Sequence, residues 1–169
     1  PEGGWTVEEL AKTIHFNGVP IELPFIIDSL GEDYQFDDEY EKWGIDNSTP
    51  KPTATLVLKY KDIKFGIFYL TGVESKDLSK AKSLDVYTFV TDTTTFGKYE
   101  GQLININGIT LGSTATDVKE ALGEPDDINE VCYIYYRKGT QKSLITVLIN
   151  DDNIVTGLVV RFKTEEENN

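Results

Sequence analysis

One arrangement of residues occurs twice in this chain. Ile14-His15-Phe16-Asn17-Gly18-Val19 and Ile104-Asn105-Ile106-Asn107-Gly108-Ile109 both put an Asn-Gly pair between short apolar runs. Each then runs through an apolar-periodic stretch that closes on the same tripeptide, Leu30-Gly31-Glu32 in the first and Leu122-Gly123-Glu124 in the second. Between these anchors the copies differ by a slip of two residues. Self-similarity of this kind constrains the fold more than composition does, because a repeated unit buries its apolar face against its neighbour.

The chemistry of each copy is the same. Asn-Gly accepts the positive φ of a tight turn between two short extended pieces. A helix of about two turns should follow. In the second copy Thr114 and Asp117 form a capping box, Val118, Ala121 and Leu122 make an apolar stripe, and Gly123 with Pro125 ends it. In the first copy Pro24 suits the first helical position, Ile26, Ile27 and Leu30 point inward, and Gly31 terminates. A further helix over 7–12 has its own box, Thr6 with Glu9.

Three strand-like runs come after each helix, over 53–60, 63–70 and 84–91, then over 131–137, 143–150 and 154–162. Lys61-Asp62 and the Asn150–Asn153 cluster read as tight hairpins, so successive strands should be antiparallel neighbours. The predicted fold is α+β: two tandem helix-plus-antiparallel-sheet repeats, with the helices on one face of a curved sheet. The repeats are assigned to 1–95, with a long acidic loop over 33–52, and to 96–163, with a frayed tail over 164–169. At 169 residues and 39% hydrophobic content, the chain can fill one core shared by two small units.

Alternation along the strands divides their faces. Val86, Thr88, Val90, Leu158, Val160 and Phe162 are assigned to the helix-covered core. Asp85, Tyr87, Phe89, Gly157, Val159 and Arg161 then face outward, joined by Phe68, Tyr133 and Tyr135. An open sheet face carrying aromatics is a candidate partner-binding surface. The competing reading is that a loop or helix covers these rings.

Net charge is −13, from 29 acidic against 16 basic side chains. Such a chain repels nucleic-acid phosphates and anionic lipid headgroups. The acidic stretch holding Asp37, Asp38, Glu39 and Glu41 reads either as a solvated loop, as a patch for a basic partner, or as a loose Ca²⁺ site. It lacks the EF-hand series. The single cysteine, Cys132, excludes an internal disulfide framework and reads as a buried strand position.

Several catalytic classes fail on inventory. His15 is the only histidine, so multi-histidine zinc sites are out of reach, and Walker, Gly-x-Gly-x-x-Gly and Gly-x-Ser-x-Gly motifs are missing. A Cys132–His15 dyad would have to bridge different repeats. No metal or cofactor is expected. Carboxylate-dependent hydrolysis of an envelope polysaccharide stays open as the alternative function, resting on the abundance of acids alone.

Gly112-Ser113-Thr114-Ala115-Thr116-Asp117-Val118, leading to Leu122-Gly123-Glu124-Pro125 and three strands, resembles the "G-x-[ST]-x-x-x-V…L-G-x-P" unit of small bacterial envelope lipoproteins of the SmpA/OmlA (BamE) type. In tandem, such units resemble the β-lactamase-inhibitor-protein-like fold, whose sheet grips a partner protein. The resemblance covers 104–162 well and 14–91 more weakly, and the chain lacks that inhibitor's disulfide in each repeat. It implies a non-enzymatic, secreted or lipid-anchored envelope module that binds a protein or cell-wall component. Pro1 and the absence of methionine carry the expectation that the natural start has been cleaved or trimmed, and that any targeting segment went with it.

Overall fold

The computed structural model describes residues 5–37, 48, 51–73, 77–97, 100–136 and 143–162. It is an α+β structure in which a large sheet carries most of the chain. Helix α1 (Val7–Ala11) starts on the expected Thr6–Glu9 capping box and buries Val7, Leu10 and Ala11. Strands β1 (Ile14–Phe16) and β2 (Val19–Pro20) turn through Asn17 and Gly18, both at positive φ.

Next come a single 3₁₀ turn (Ile27–Leu30) and strands β3 (Tyr34–Phe36), β4 (Thr53–Tyr60) and β5 (Ile63–Thr71). Helix α2 (Leu78–Ala81), strand β6 (Asp85–Asp92) and helix α3 (Thr93–Phe96) complete the first half. A second 3₁₀ turn (Glu100–Leu103) leads into β7 (Ile104–Ile106) and α4 (Ala115–Leu122). The chain then forms β8 (Asp127–Ile128), β9 (Cys132–Tyr135), β10 (Leu144–Ile149) and β11 (Val155–Arg161).

The large sheet is antiparallel throughout, in the order β3-β4-β5-β6-β11-β10-β9-β8. Each half supplies four consecutive strands, and the halves meet where β6 pairs with β11. A small sheet, β2-β1-β7, joins the halves again, with Phe16 opposite Ile104 and Ile14 opposite Ile106. The edge strands β3 and β8 lie outside the runs expected from the sequence. Three and two residues long, they are too short to show a period.

One continuous buried cluster draws on both halves. It gathers α1, α4 and the small sheet against one face of the large sheet. In the first half its centre is aromatic. Phe16 meets Phe25, Phe65, Phe68 and Phe89 edge-on, with ring centroids 5.2–6.1 Å apart, while Phe68 and Phe89 stack at 5.5 Å. Edge-to-face geometry places the positive rim of one ring on the negative face of the next. Gly66 allows this packing, since a Cβ there would come within 2.9 Å of the Phe68 ring. In the second half the centre is aliphatic, built from Val118 and Leu122 of α4 over Ile145, Val147, Leu158 and Val160.

Two expectations about the helices divide. Helix α4 forms as read, with both arms of the Thr114–Asp117 box at 3.0 and 3.1 Å and Gly123 ending it. The first-half helix does not start at Pro24. Phe25 instead exchanges backbone hydrogen bonds with Val86 of β6, at 3.3 and 2.8 Å, which holds the chain extended. Only the single turn Ile27–Leu30 remains, and Ile26 offers no side-chain cap.

Candidate functional site

The strand registers define the two faces of the large sheet. On the side away from the helices one row crosses six strands: Val57, Ile67, Val90, Val159, Thr146 and Ile134. Val57 is buried, and the other five are half-buried. None of them belongs to the core cluster. A second row alongside holds Thr55, Tyr69, Thr88, Arg161 and Leu144. Tyr69 is 40% exposed and Arg161 is exposed, so the polar rim begins within one residue of the apolar row. On the far side of that row Leu148 lies over Gly157, where an added Cβ would sit 2.6 Å from a Leu148 methyl.

This face is not the aromatic one expected. Phe89 and Phe68 point into the core and are fully buried. The cause is a bulge in β6: Leu70 pairs with Val86 and Tyr69 with Thr88, so Tyr87 is an extra residue. One extra residue reverses every later side chain. Val86 therefore stays inside as read, while Phe89 and Thr91 turn in and Thr88 and Val90 turn out. Phe68, opposite Phe89, follows the same face.

Tyr135 also points inward. Its hydroxyl donates to the Gly123 carbonyl at 2.9 Å, at the end of α4. Burial, then Glu124, Tyr133 and Asp126, raise its phenol pKa. Tyr133 lies on the helix side too, half-buried, with Lys119 Nζ of α4 5.5 Å from its ring centroid. Tyr87 sits half-buried at the bulge, where its carbonyl accepts from Phe162 N–H at 2.9 Å. Of the named partner-binding residues, Arg161 is on the accessible outer face as read. Ile67, Val90, Thr146 and Ile134 were not singled out from the sequence.

The acidic stretch is described only at its start. Asp37 is buried and pairs with Lys64 Nζ at 3.0 Å. Asp38, Glu39 and Glu41 lie outside the described residues. Among the described residues no cluster of three metal-ligating side chains occurs. Asp77 and Asp117 are held below the ordinary carboxylate range by hydrogen bonds, from Ser79 and from Thr114 respectively, which is capping chemistry and the reverse of what a general acid needs.

His15 and Cys132 fall in different sheets. His15 Nδ1 is 2.8 Å from the Thr13 carbonyl and donates to it, facing a shallow 420 Å³ pocket shared with Asn17, Gln102 and Asn105. Cys132 is buried, and its thiol donates to Asn129 Oδ1 at 3.2 Å.

No protein-family model, curated protein or solved structure matches the chain. No helix among the described residues is long and apolar enough to cross a membrane.

Proposed function

We propose that the chain is a non-enzymatic binding module built from two copies of one α+β unit, and that the outer face of its eight-stranded sheet docks a protein of net positive charge. The observation that carries this reading is the row Ile67-Val90-Val159-Thr146-Ile134, accessible, apolar but for one threonine, and bordered by Tyr69 and Arg161. A half-exposed apolar strip with a polar border has the anatomy of a protein interface. The net charge of −13 selects the sign of the partner.

Matching details in the two halves support duplication. Asn17-Gly18 and Asn107-Gly108 share the same positive-φ turn, and Gly31 and Gly123 end their helices at φ 96° and 84° with ψ near 180°. Shortly ahead of each helical segment an isolated bridge ties the chain to the start of the last strand of its half, Phe25 to Val86 in β6 and Thr114 to Ile154 next to β11. Each last strand then bulges at the corresponding place, at Tyr87 in β6 and at Thr156 in β11. Placement in the bacterial envelope, secreted or lipid-anchored, is part of the same proposal and rests on the resemblance to SmpA/OmlA-type units.

A photo-crosslinking residue placed at Ile67 or at Val159 tests the docking face. The expected result is capture of one protein from both positions and not from Glu120 on α4. The purified partner should then bind in titration, and excess unmodified module should abolish the crosslink. Capture only from Glu120, or a partner that does not bind once purified, would overturn the proposal.

A further inference from the structure

A cleft of about 490 Å³ lies beside the 3₁₀ turn, floored by Leu23, Phe25 and Leu30 and edged by Glu22, Ser29 and Asp85. Its size falls in the range of built ligand sites, roughly 300–1,000 Å³. The floor is rigid, because Phe25 is bonded to β6 through its backbone and packs edge-on against Phe16 and Phe68. The charge is one-sided. Glu22 and Asp85 are exposed carboxylates, and among the described residues no lysine, arginine or histidine lines the cleft.

The adjoining strand disfavours the simplest occupant, an extended peptide added at the β2 edge. Phe16–Val19 and Ile14–Ile21 are the bonded pairs of the hairpin, so residue 20 turns its amide position outward, and Pro20 has no N–H to offer there. Recognition in this cleft therefore falls to side chains.

We propose that the cleft receives a lysine or arginine side chain, carried on an aliphatic stretch of a protein partner. Long basic side chains lay an apolar stem along apolar surface and keep the charged head at its border. Leu23, Phe25 and Leu30 accommodate the stem, and Glu22 and Asp85 meet the head. The cleft shares no lining residue with the row Ile67-Val90-Val159-Thr146-Ile134, and the proposal does not depend on that row.

The test is an octapeptide array that varies lysine, arginine, glutamate and leucine, probed with the folded, labelled protein. Retention is expected on spots where a basic residue is flanked by leucines, and not on their glutamate counterparts. Ser29→Trp, which fills the cleft, and the pair Glu22→Lys with Asp85→Lys should each lower retention by roughly tenfold or more. Glu120→Lys reverses a charge in the other half and should leave retention unchanged. Raised salt should weaken it, as for any exposed charge contact.

Equal retention by the filled or charge-reversed cleft would overturn the proposal, as would no preference for basic spots. Loss on Val159→Lys with the cleft variants silent would also overturn it, while leaving the sheet-face reading standing. If Ser29→Trp does not fold, the charge-reversed pair decides alone.

Discussion

The two halves of this molecule reach the same strand order with different interiors. The first packs four phenyl rings around Phe16 and has only one uncapped 3₁₀ turn where the second has a helix. The second packs aliphatic side chains beneath an eight-residue helix. That helix is capped at its start by Thr114 and Asp117, and two of its last carbonyls are taken up, Ala121 by Asn107 at 2.6 Å and Gly123 by Tyr135 at 2.9 Å. The difference shows that a meander of four strands forms over one 3₁₀ turn as well as over an eight-residue helix at the corresponding place. Aromatic burial holds one half, and a helix fixed at both ends holds the other.

The largest expected effect follows from the ring cluster. Phe16→Ala should lower unfolding free energy by about 3–5 kcal/mol, measured by urea denaturation, whereas Ile106→Val in the partner strand of the small sheet should cost about 0.5–1.5 kcal/mol. Similar costs for both would break the contrast between the two interiors.

Tyr135→Phe comes next, at about 1–3 kcal/mol, because it leaves the carbonyl of Gly123 without its donor. The same tyrosine links stability to pH. Its folded pKa is raised above the ordinary 10.0, so the unfolded chain releases this proton first. The contribution is complete below pH 10 and is lost as pH climbs above it, and Tyr135→Phe should flatten that part of the profile. Tyr34 in the first half is raised in the same direction, by burial and then by Tyr60 and Asp33, so a residual alkaline slope should remain.

Thr114→Ala should cost about 1 kcal/mol through loss of the cap. The acid limb sharpens this. Asp117 is lowered from 3.8 by its bonds to Thr114, so its support is present above pH 3.8 and lost as pH falls further. Thr114→Ala should reduce that acid sensitivity, seen as a smaller drop in helical circular dichroism below pH 4.

How much of this was legible depended on the length of each pattern. The capping boxes at Thr6 and Thr114, the Asn-Gly turns and six of the strands could be read, since each rests on contacts within a few residues. The edge strands β3 and β8 are too short to carry a period. The helix expected at Pro24 gave way to the long-range bridge from Phe25 to Val86, which no local propensity encodes. The outer face departs from strict alternation in β6, where one bulged residue, Tyr87, exchanges Phe89 for Val90; in β9 no bulge intervenes, and Tyr133 and Tyr135 simply lie on the side that packs under α4. A β-bulge leaves almost no mark on a run such as Val86-Tyr87-Thr88-Phe89-Val90, in which every residue suits a strand on either face.

The outer face is where the proposed binding would act. Val159 stands at its centre, paired with Val90 across the junction of the halves. The most direct test is to titrate the partner captured at Ile67 and Val159 into Val159→Lys and wild type, with thermal unfolding measured in parallel. The account predicts an affinity loss of roughly tenfold or more, with Tm held within about 4 °C. Unchanged affinity in a folded Val159→Lys protein would contradict it.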